Sequence, residues 1–322
     1  MDVADWEILM TGSGMPIIAE RVAAAGTLHE LWKEKDPEAR LAEIAERIRV
    51  LVVPFHSARA EARLISRLPK LELIASFGVG YDHIDAKYAA ERGIIVTNTP
   101  GVLDPEVADT ALALTLAAVR RLPQAERYLR AGLWPKAPFP LSPSLRGRTM
   151  GILGLGRIGR EIAKRAEAFG LEIVYHGRKA QDDAPYLYYP TLKGMAEACD
   201  ILMVIAPGGP ETRHIINAEI LQALGPNGVL INVARGSLVD EAALIEALRN
   251  HTILAAGLDV FENEPHVPEA LIALDNAVLF PHVGSASVPT RLAMANLTVE
   301  NVFSWIAGKG PITPVPETPW NK

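Results

Sequence analysis

Residues 149–159 read Thr-Met-Gly-Ile-Leu-Gly-Leu-Gly-Arg-Ile-Gly, an apolar strand candidate running into Gly154, Gly156 and Gly159. A strand, a Gly-x-Gly-x-x-Gly turn and a helix together form a cradle for a dinucleotide pyrophosphate. Gly154 permits the tight turn, Gly156 lets backbone approach the phosphates, and Gly159 lets helix and strand pack closely. The backbone of Leu155, Gly156, Arg157 and Ile158 then opens a helix whose free N–H groups and positive dipole end suit phosphate. Three later residues could act on a substrate: Arg235, Glu264 and His282, each placed shortly after an apolar run. An Arg can grip a substrate carboxylate and polarise the neighbouring carbonyl. A His can deliver a proton to oxygen as hydride reaches carbon. A carboxylate beside that His favours its charged, proton-donating form. Taken singly, each has a bland reading: Arg235 as a cap or surface pair, Glu264 as a turn residue before Pro265, His282 as a structural histidine after Pro281. Their shared position after strands, downstream of a dinucleotide fingerprint, favours the chemical set. The other seven histidines receive no role.

Cofactor choice turns on the end of the strand after the fingerprint helix. An NAD-binding chain places Asp or Glu there, to accept from the ribose 2′-hydroxyl. Here the run ends in His176, Gly177, Arg178 and Lys179, while Asp182 and Asp183 come late. Two adjacent cations fit a 2′-phosphate, which Arg can bind bidentately. NADP(H) is therefore the expected cofactor, with NAD(H) possible. The bland reading of Arg178 and Lys179 is a solvated basic turn.

The elements that must position these residues alternate along the chain. Strand candidates lie at 7–10, 50–53, 73–75, 94–97, 149–153, 172–175, 201–205, 229–233, 254–258 and 277–279, with helical stretches between them such as 158–169 and 241–249. Most strand candidates are unbroken Val/Ile/Leu runs, as expected of strands buried on both faces in parallel sheets. Repeated βα units imply a doubly wound α/β architecture. A boundary signal runs from Asn98 to Gly101, after which Asp104 is a good N-cap and Pro105 suits a first helical position. The helix that follows, to about Arg121, is Ala/Leu-rich on nearly every side. A helix crossing between domains or lying in a subunit interface would satisfy that pattern. The loop 132–143, with Trp134, Phe139 and four prolines, is expected to be extended, and the proline-rich tail after Gly310 to drape over a surface.

At 322 residues the chain predicts about two domains. With 49% hydrophobic and 22% charged residues it is an ordinary globular chain, not a disordered or coiled-coil one. A net charge of −6 argues against a nucleic-acid-coating surface. No 18-residue apolar window suggests a membrane span, and the N-terminus does not read as a signal peptide. The single cysteine, Cys199, cannot form an internal disulfide or a thiolate metal site alone. It reads as a small apolar residue beside a strand in a reducing, cytoplasmic protein, and no metal is expected.

Five stretches in fixed order carry a family resemblance: Phe77 to Asp82, residues 154–159, Val233-Ala234-Arg235-Gly236, residues 259–265, and Pro281-His282-Val283-Gly284-Ser285. The sequence resembles the D-isomer-specific 2-hydroxyacid dehydrogenase family over nearly its whole length. Within that family it looks like the NADPH-dependent glyoxylate/hydroxypyruvate and hydroxyphenylpyruvate reductases. The resemblance implies two doubly wound parallel-sheet domains. A flavodoxin-like substrate domain would comprise 1–101 and 288–322, and a Rossmann cofactor domain 102–287. It also implies a homodimer built around the helix at 105–121. By the resemblance Arg235 binds substrate, Glu264 supports the acid and His282 is the general acid/base. The amides of Val79 and Gly80 bind a substrate carboxylate, and Asp259 contacts the nicotinamide carboxamide. Pro207 and Thr212 line the cofactor trough, which Val233, Ala234, Arg235, His282 and Gly284 also border. The implied substrates are small 2-oxo acids, reduced to D-2-hydroxy acids. Residues 53–57, expected to face substrate, leave its identity open. Glu264 speaks against the formate-dehydrogenase branch, which resembles a Gln here. Two alternatives remain: an NAD-dependent D-lactate-type dehydrogenase, which would want a carboxylate where His176 stands, and a non-catalytic, dinucleotide-sensing corepressor-like binder.

Overall fold

A computed structural model of the protein describes residues 6–54 and 58–320, so Phe55, His56 and Ser57 of the expected substrate-facing stretch lie outside the described residues. The chain divides into two compact units, one made of the residues up to Leu103 together with those from Val288 onward, the other of Asp104–Ser287.

The first unit carries five parallel strands: β1 (Glu7–Met10), β2 (Thr27–Glu30), β3 (Ile48–Val53), β4 (Leu73–Ser76) and β5 (Ile95–Thr97). Their order is β2-β1-β3-β4-β5, the flavodoxin-like doubly wound arrangement. The central strands are buried on both faces, which explains their unbroken apolar runs. The sequence did not reveal β2. It is an edge strand with His29 and Glu30 in it, and its His29 side chain pairs with Glu7 across the sheet. Beyond the long helix Val288–Ile306, the tail pairs along β5. Val315 donates its amide to Val96 O at 2.9 Å, and the Val96 amide donates to Thr318 Oγ1 at 2.9 Å.

The second unit carries seven parallel strands: β6 (Thr149–Leu153), β7 (Glu172–His176), β8 (Leu187–Tyr188), β9 (Ile201–Val204), β10 (Val229–Asn232), β11 (Ala255–Leu258) and β12 (Ala277–Leu279). Their order, β12-β11-β10-β9-β6-β7-β8, reverses between β6 and β9. That reversal is the switch point of a Rossmann sheet, outside whose carboxyl ends ligands bind. The two-residue edge strand β8 was not legible either, being too short to show a pattern.

The helix Asp104–Arg120 satisfies its apolar faces inside this unit. Its buried side chains pack on β10, β11 and β12 and on the helix Arg157–Ala168. Gly257 in β11 gives it room, since a Cβ there would come within 2.8 Å of Leu114 Cγ. No interface is needed to explain its Ala/Leu-rich pattern. A further helix, Leu122–Arg130, follows directly, and residues 132–143, expected to be extended, are irregular and begin with a turn in which the Lys136 and Ala137 amides donate to Leu133 O. Among the described residues no helix is long and apolar enough to cross a membrane.

Cys199 sits at the end of the helix Leu192–Ala198, its Sγ 2.9 Å from where a Gly151 Cβ would stand. Burial pushes its thiol up to about 12. At pH 8 only about one molecule in 10⁴ then carries the reactive thiolate. A thiol reagent is expected to leave the folded protein unlabelled over hours and to label it stoichiometrically in denaturant. Rapid labelling of the native protein would contradict this packing.

Candidate active site

The carboxyl ends of the second sheet are aligned to one row. Leu153 of β6 pairs with His176 of β7 and with Val204 of β9, Val204 with Asn232 of β10, Asn232 with Leu258 of β11, and Leu258 with Leu279 of β12. Gly154, Gly177, Ile205, Val233, Asp259 and Phe280 therefore begin six adjacent loops. At about 4.8 Å per strand, the row from β7 to β12 spans on the order of 24 Å. The residues expected to bind cofactor are distributed along it.

At the switch point the three fingerprint glycines differ in what requires them. Gly154 has φ +102°, and a Cβ there would come within 2.8 Å of Ala206 N. A Cβ at Gly159 would come within 2.3 Å of Gly154 O. These two are demanded by the protein's own packing. Gly156 is exposed, has φ −82°, and its added Cβ would meet nothing within 4 Å. The protein does not need a glycine there. A ligand approaching the backbone does, so the cradle fits a pyrophosphate. Leu155 is buried and Ile158 half-buried, leaving their backbone to face a ligand. Arg157 pairs with Asp104, Nε to Oδ2 at 3.3 Å.

After β7, His176 places Nδ1 2.8 Å from Tyr189 O and stacks on Tyr188. Arg178 and Lys179 are exposed, and no ion pair among the described residues holds either. After β9, Thr212 Oγ1 donates to Pro207 O at 2.8 Å, closing the 207–212 loop on itself.

After β10, Asn232 shapes the turn that delivers Arg235. The Asn232 Oδ1 accepts the Ala234 amide at 3.0 Å, and its Nδ2 donates to Arg235 O at 2.8 Å. Val233 and Ala234 are buried beneath, while Arg235 is half-buried. Gly236 follows because there is no space for anything else: a Cβ would lie 1.8 Å from Phe261 C. Asn232 is a site residue that the sequence reading did not single out. Its signal was a polar residue closing an apolar strand, which many strands show.

After β11 and β12 two carboxylates organise one histidine. Asp259 is 2% exposed. Its Oδ1 accepts the Val283 amide at 2.7 Å and its Oδ2 the Gly284 amide at 2.8 Å. Gly284 allows this approach, since a Cβ would stand 2.9 Å from Asp259 Oδ2. The resemblance implied an Asp259 contact to the nicotinamide carboxamide; the structure gives both its oxygens backbone partners. Burial raises the Asp259 carboxyl above its ordinary range, opposed by those two amides and by His282. Between the clamped residues and Phe280 lies His282, with φ +53°. A non-glycine residue in that region costs on the order of 1–2 kcal/mol and persists where its surroundings over-determine it. His282 Nδ1 stands 2.7 Å from Glu264 Oε2, and Glu264 Oε1 accepts the Phe261 amide at 3.0 Å. An ionised Glu264 accepts, so Nδ1 donates and Nε2 is the nitrogen with which such a ring can exchange a proton.

The residues 112–284 match the family model for the D-isomer specific 2-hydroxyacid dehydrogenase, NAD binding domain. The chain belongs to the D-isomer specific 2-hydroxyacid dehydrogenase family. It is 49% identical over 288 residues to a glyoxylate/hydroxypyruvate reductase A of Arabidopsis thaliana, covering 89% of this chain and 92% of that protein. A hydroxyphenylpyruvate reductase of Plectranthus scutellarioides is 48% identical with the same coverage. Among solved structures, an NADPH-dependent glyoxylate/hydroxypyruvate reductase from Sinorhizobium meliloti, in complex with NADP and malonate, is similar with a TM-score of 0.90. It is 49% identical, and the match covers 99% of each chain.

In this 2-hydroxyacid dehydrogenase the loop after β4 belongs to the first unit. The Val79 O accepts from Asn98 Nδ2 at 2.8 Å, and Thr99 is doubly bonded to Gly78, through Gly78 N to Thr99 Oγ1 at 3.1 Å and Thr99 N to Gly78 O at 2.9 Å. Asn98 and Thr99, which read as a boundary signal, thus also fix this loop. The Val79 and Gly80 amides donate to no group of the described residues.

The glycine contrast gives a paired test. Gly236→Ala must displace backbone of Phe261 and Glu262, and is expected to cost about 1–3 kcal/mol in a urea denaturation series. Gly156→Ala is expected to stay within about 0.5 kcal/mol of the native protein. Equal stabilities for the two variants would refute the packing argument.

Proposed function

We propose that the chain reduces small 2-oxo acids, glyoxylate and hydroxypyruvate first among them, to D-2-hydroxy acids with NADPH. The observation that carries the reading is the 2.7 Å His282–Glu264 pair, held at the far end of the row of sheet ends that includes the Gly154–Gly156–Gly159 cradle. NADPH-dependent glyoxylate/hydroxypyruvate reduction by the Sinorhizobium meliloti relative supports the substrate class and the cofactor.

The 154–159 backbone holds the pyrophosphate, and Arg178 with Lys179 holds the 2′-phosphate. NADH remains usable, since it shares everything but that phosphate. When bound, the dinucleotide supplies hydride to the carbonyl carbon. Arg235 holds the substrate carboxylate and polarises the carbonyl, and the Val79 and Gly80 amides receive the same kind of anion. Negative charge builds on the carbonyl oxygen and must be met by a proton. Arg235 cannot give one, because guanidinium keeps its protons above about pH 12. His282 Nε2 delivers it, and Glu264 fixes the ring. Asp259 holds the turn that presents His282. We further infer a cytoplasmic homodimer that binds neither nucleic acid nor membrane. Support comes from the net charge of −6 and from exposed Leu129, Trp134 and Leu141, apolar side chains of the kind a partner subunit would cover.

A substrate panel tests the reading. Glyoxylate and hydroxypyruvate are expected to oxidise NADPH, whereas aldehydes lacking the carboxylate are turned over at least about tenfold less efficiently. His282→Ala is expected to lower kcat by about 10²–10⁴ while leaving NADPH binding largely intact. Aldehydes matching 2-oxo acids, or near-native turnover in His282→Ala, would refute it.

The cofactor choice has its own test. Arg178→Ala/Lys179→Ala is expected to raise the KM for NADPH at least about tenfold and to spare NADH. A native protein using both cofactors equally would argue against a 2′-phosphate site at this turn.

A further inference from the structure

Gln181 lies three residues past Arg178, in the loop that follows β7, and all three of its nearest polar groups are engaged. Its amide donates to the Tyr175 hydroxyl at 2.8 Å, and the Tyr175 ring is buried within β7. Its Nε2 donates to Leu155 O at 3.0 Å. Its Oε1 accepts from Arg160 Nη2 at 2.6 Å, and the same guanidinium nitrogen reaches Asp183 Oδ1 at 2.8 Å. One side chain thus ties the loop bearing the two cations to the middle of the glycine cradle.

The Leu155 carbonyl and the Gly156 N–H belong to one peptide unit. That unit is planar and trans, so its C=O and N–H point to opposite sides. Holding Leu155 O toward Gln181 turns the Gly156 N–H the other way. The plane needs such a hold, because Gly154 at φ +102° and Gly156 leave this stretch with more backbone freedom than any other residue type would. A donor fixed before the ligand arrives loses less entropy on binding.

We propose that Gln181 is a positioning residue for the dinucleotide: through Leu155 O it sets the peptide plane whose Gly156 N–H serves the pyrophosphate. This rests on the reading of residues 154–159 as the cofactor cradle, and not on the reading of the Arg178–Lys179 turn.

The pyrophosphate is common to NADPH and NADH, so the signature is a shared change. Gln181→Met keeps the side chain's length and removes both polar atoms. It is expected to raise the KM for NADPH and for NADH by the same factor, about three- to tenfold, the worth of one hydrogen bond. The kcat at saturating cofactor and the KM for glyoxylate are expected to stay within about twofold, which a general loosening of the fold would not allow. Inhibition by adenosine 2′-monophosphate, which lacks a pyrophosphate, is expected to be unchanged in Gln181→Met. Unchanged KM values for both cofactors, or a rise confined to NADPH, would overturn the proposal. Tyr175→Phe loosens the Gln181 backbone without touching its side chain, and is expected to raise both KM values equally but less. Should Gln181→Met fail to fold, native KM values in Tyr175→Phe overturn the proposal. Gly156→Ala separates the layers. If it raises both KM values while Gln181→Met does not, only the positioning role fails; if neither variant changes them, the cradle reading fails with it.

Discussion

A buried carboxylate bonded to two successive backbone amides organises the candidate active site. Asp259 follows β11 directly, and its oxygens accept the amides of Val283 and Gly284 beyond the end of β12. Burying a charge is costly unless it is hydrogen-bonded, and here two N–H donors offset the lost hydration. The offset is incomplete, because burial still holds the Asp259 carboxyl above its usual range. A carboxyl raised in the fold contributes stability that is present at acid pH and is lost as pH rises through its folded value. The molecule therefore carries this carboxylate at a stability cost near neutrality. What it gains is a fixed turn, in which His282 keeps a left-handed backbone that would otherwise relax.

The rest of the second unit acts as a ruler for that turn. Parallel strands place successive loops at a constant spacing, and the shared row from His176 to Leu279 brings six loops level. Residues far apart in sequence, such as Gly154 and His282, thereby lie along one edge without any direct bond between them. The helix Asp104–Arg120 backs the far end of this row. Thr110 Oγ1 donates to Gly284 O at 3.2 Å, so the turn that Asp259 holds from one side is held by the helix from another.

Most of this was legible because central parallel strands announce themselves as apolar runs, and because glycines that permit a turn are visible by type. The edge strands β2 and β8 were not, since β2 interrupts its apolar pattern with Glu30 and with His29, a buried polar side chain paired with Glu7, and β8 has only two residues. The His282–Glu264 pair could be anticipated from chemistry. The tasks of Asn232 and Asp259 could not, because they consist of bonds to backbone, and backbone amides look alike in every sequence. The separate tasks of the three fingerprint glycines were legible from their places in the motif, and the crowding around each agrees with them. Gly154 and Gly159 answer to atoms of the protein, Gly156 to atoms the protein lacks.

The distribution of acid around His282 bears on how an anion could be received there. Asp259, Glu262, Glu264 and Glu241 bring four carboxyl groups near one sheet end, where a 2-oxo acid would meet repulsion if their charge faced it. Each is instead committed to donors within the unit. Asp259 takes two amides, and Glu264 takes the Phe261 amide and the His282 ring. Glu262 Oε1 takes Arg213 Nη2 and His214 Nε2, both at 2.7 Å, while the Glu262 amide donates to Glu241 Oε1 at 2.7 Å. Burial first, and then the neighbouring Glu262 and Glu264, raise the Glu241 carboxyl. With the carboxylates drawn back onto backbone and cations, this sheet end presents little uncompensated negative charge. Acidic residues around His282 are thus consumed as scaffold.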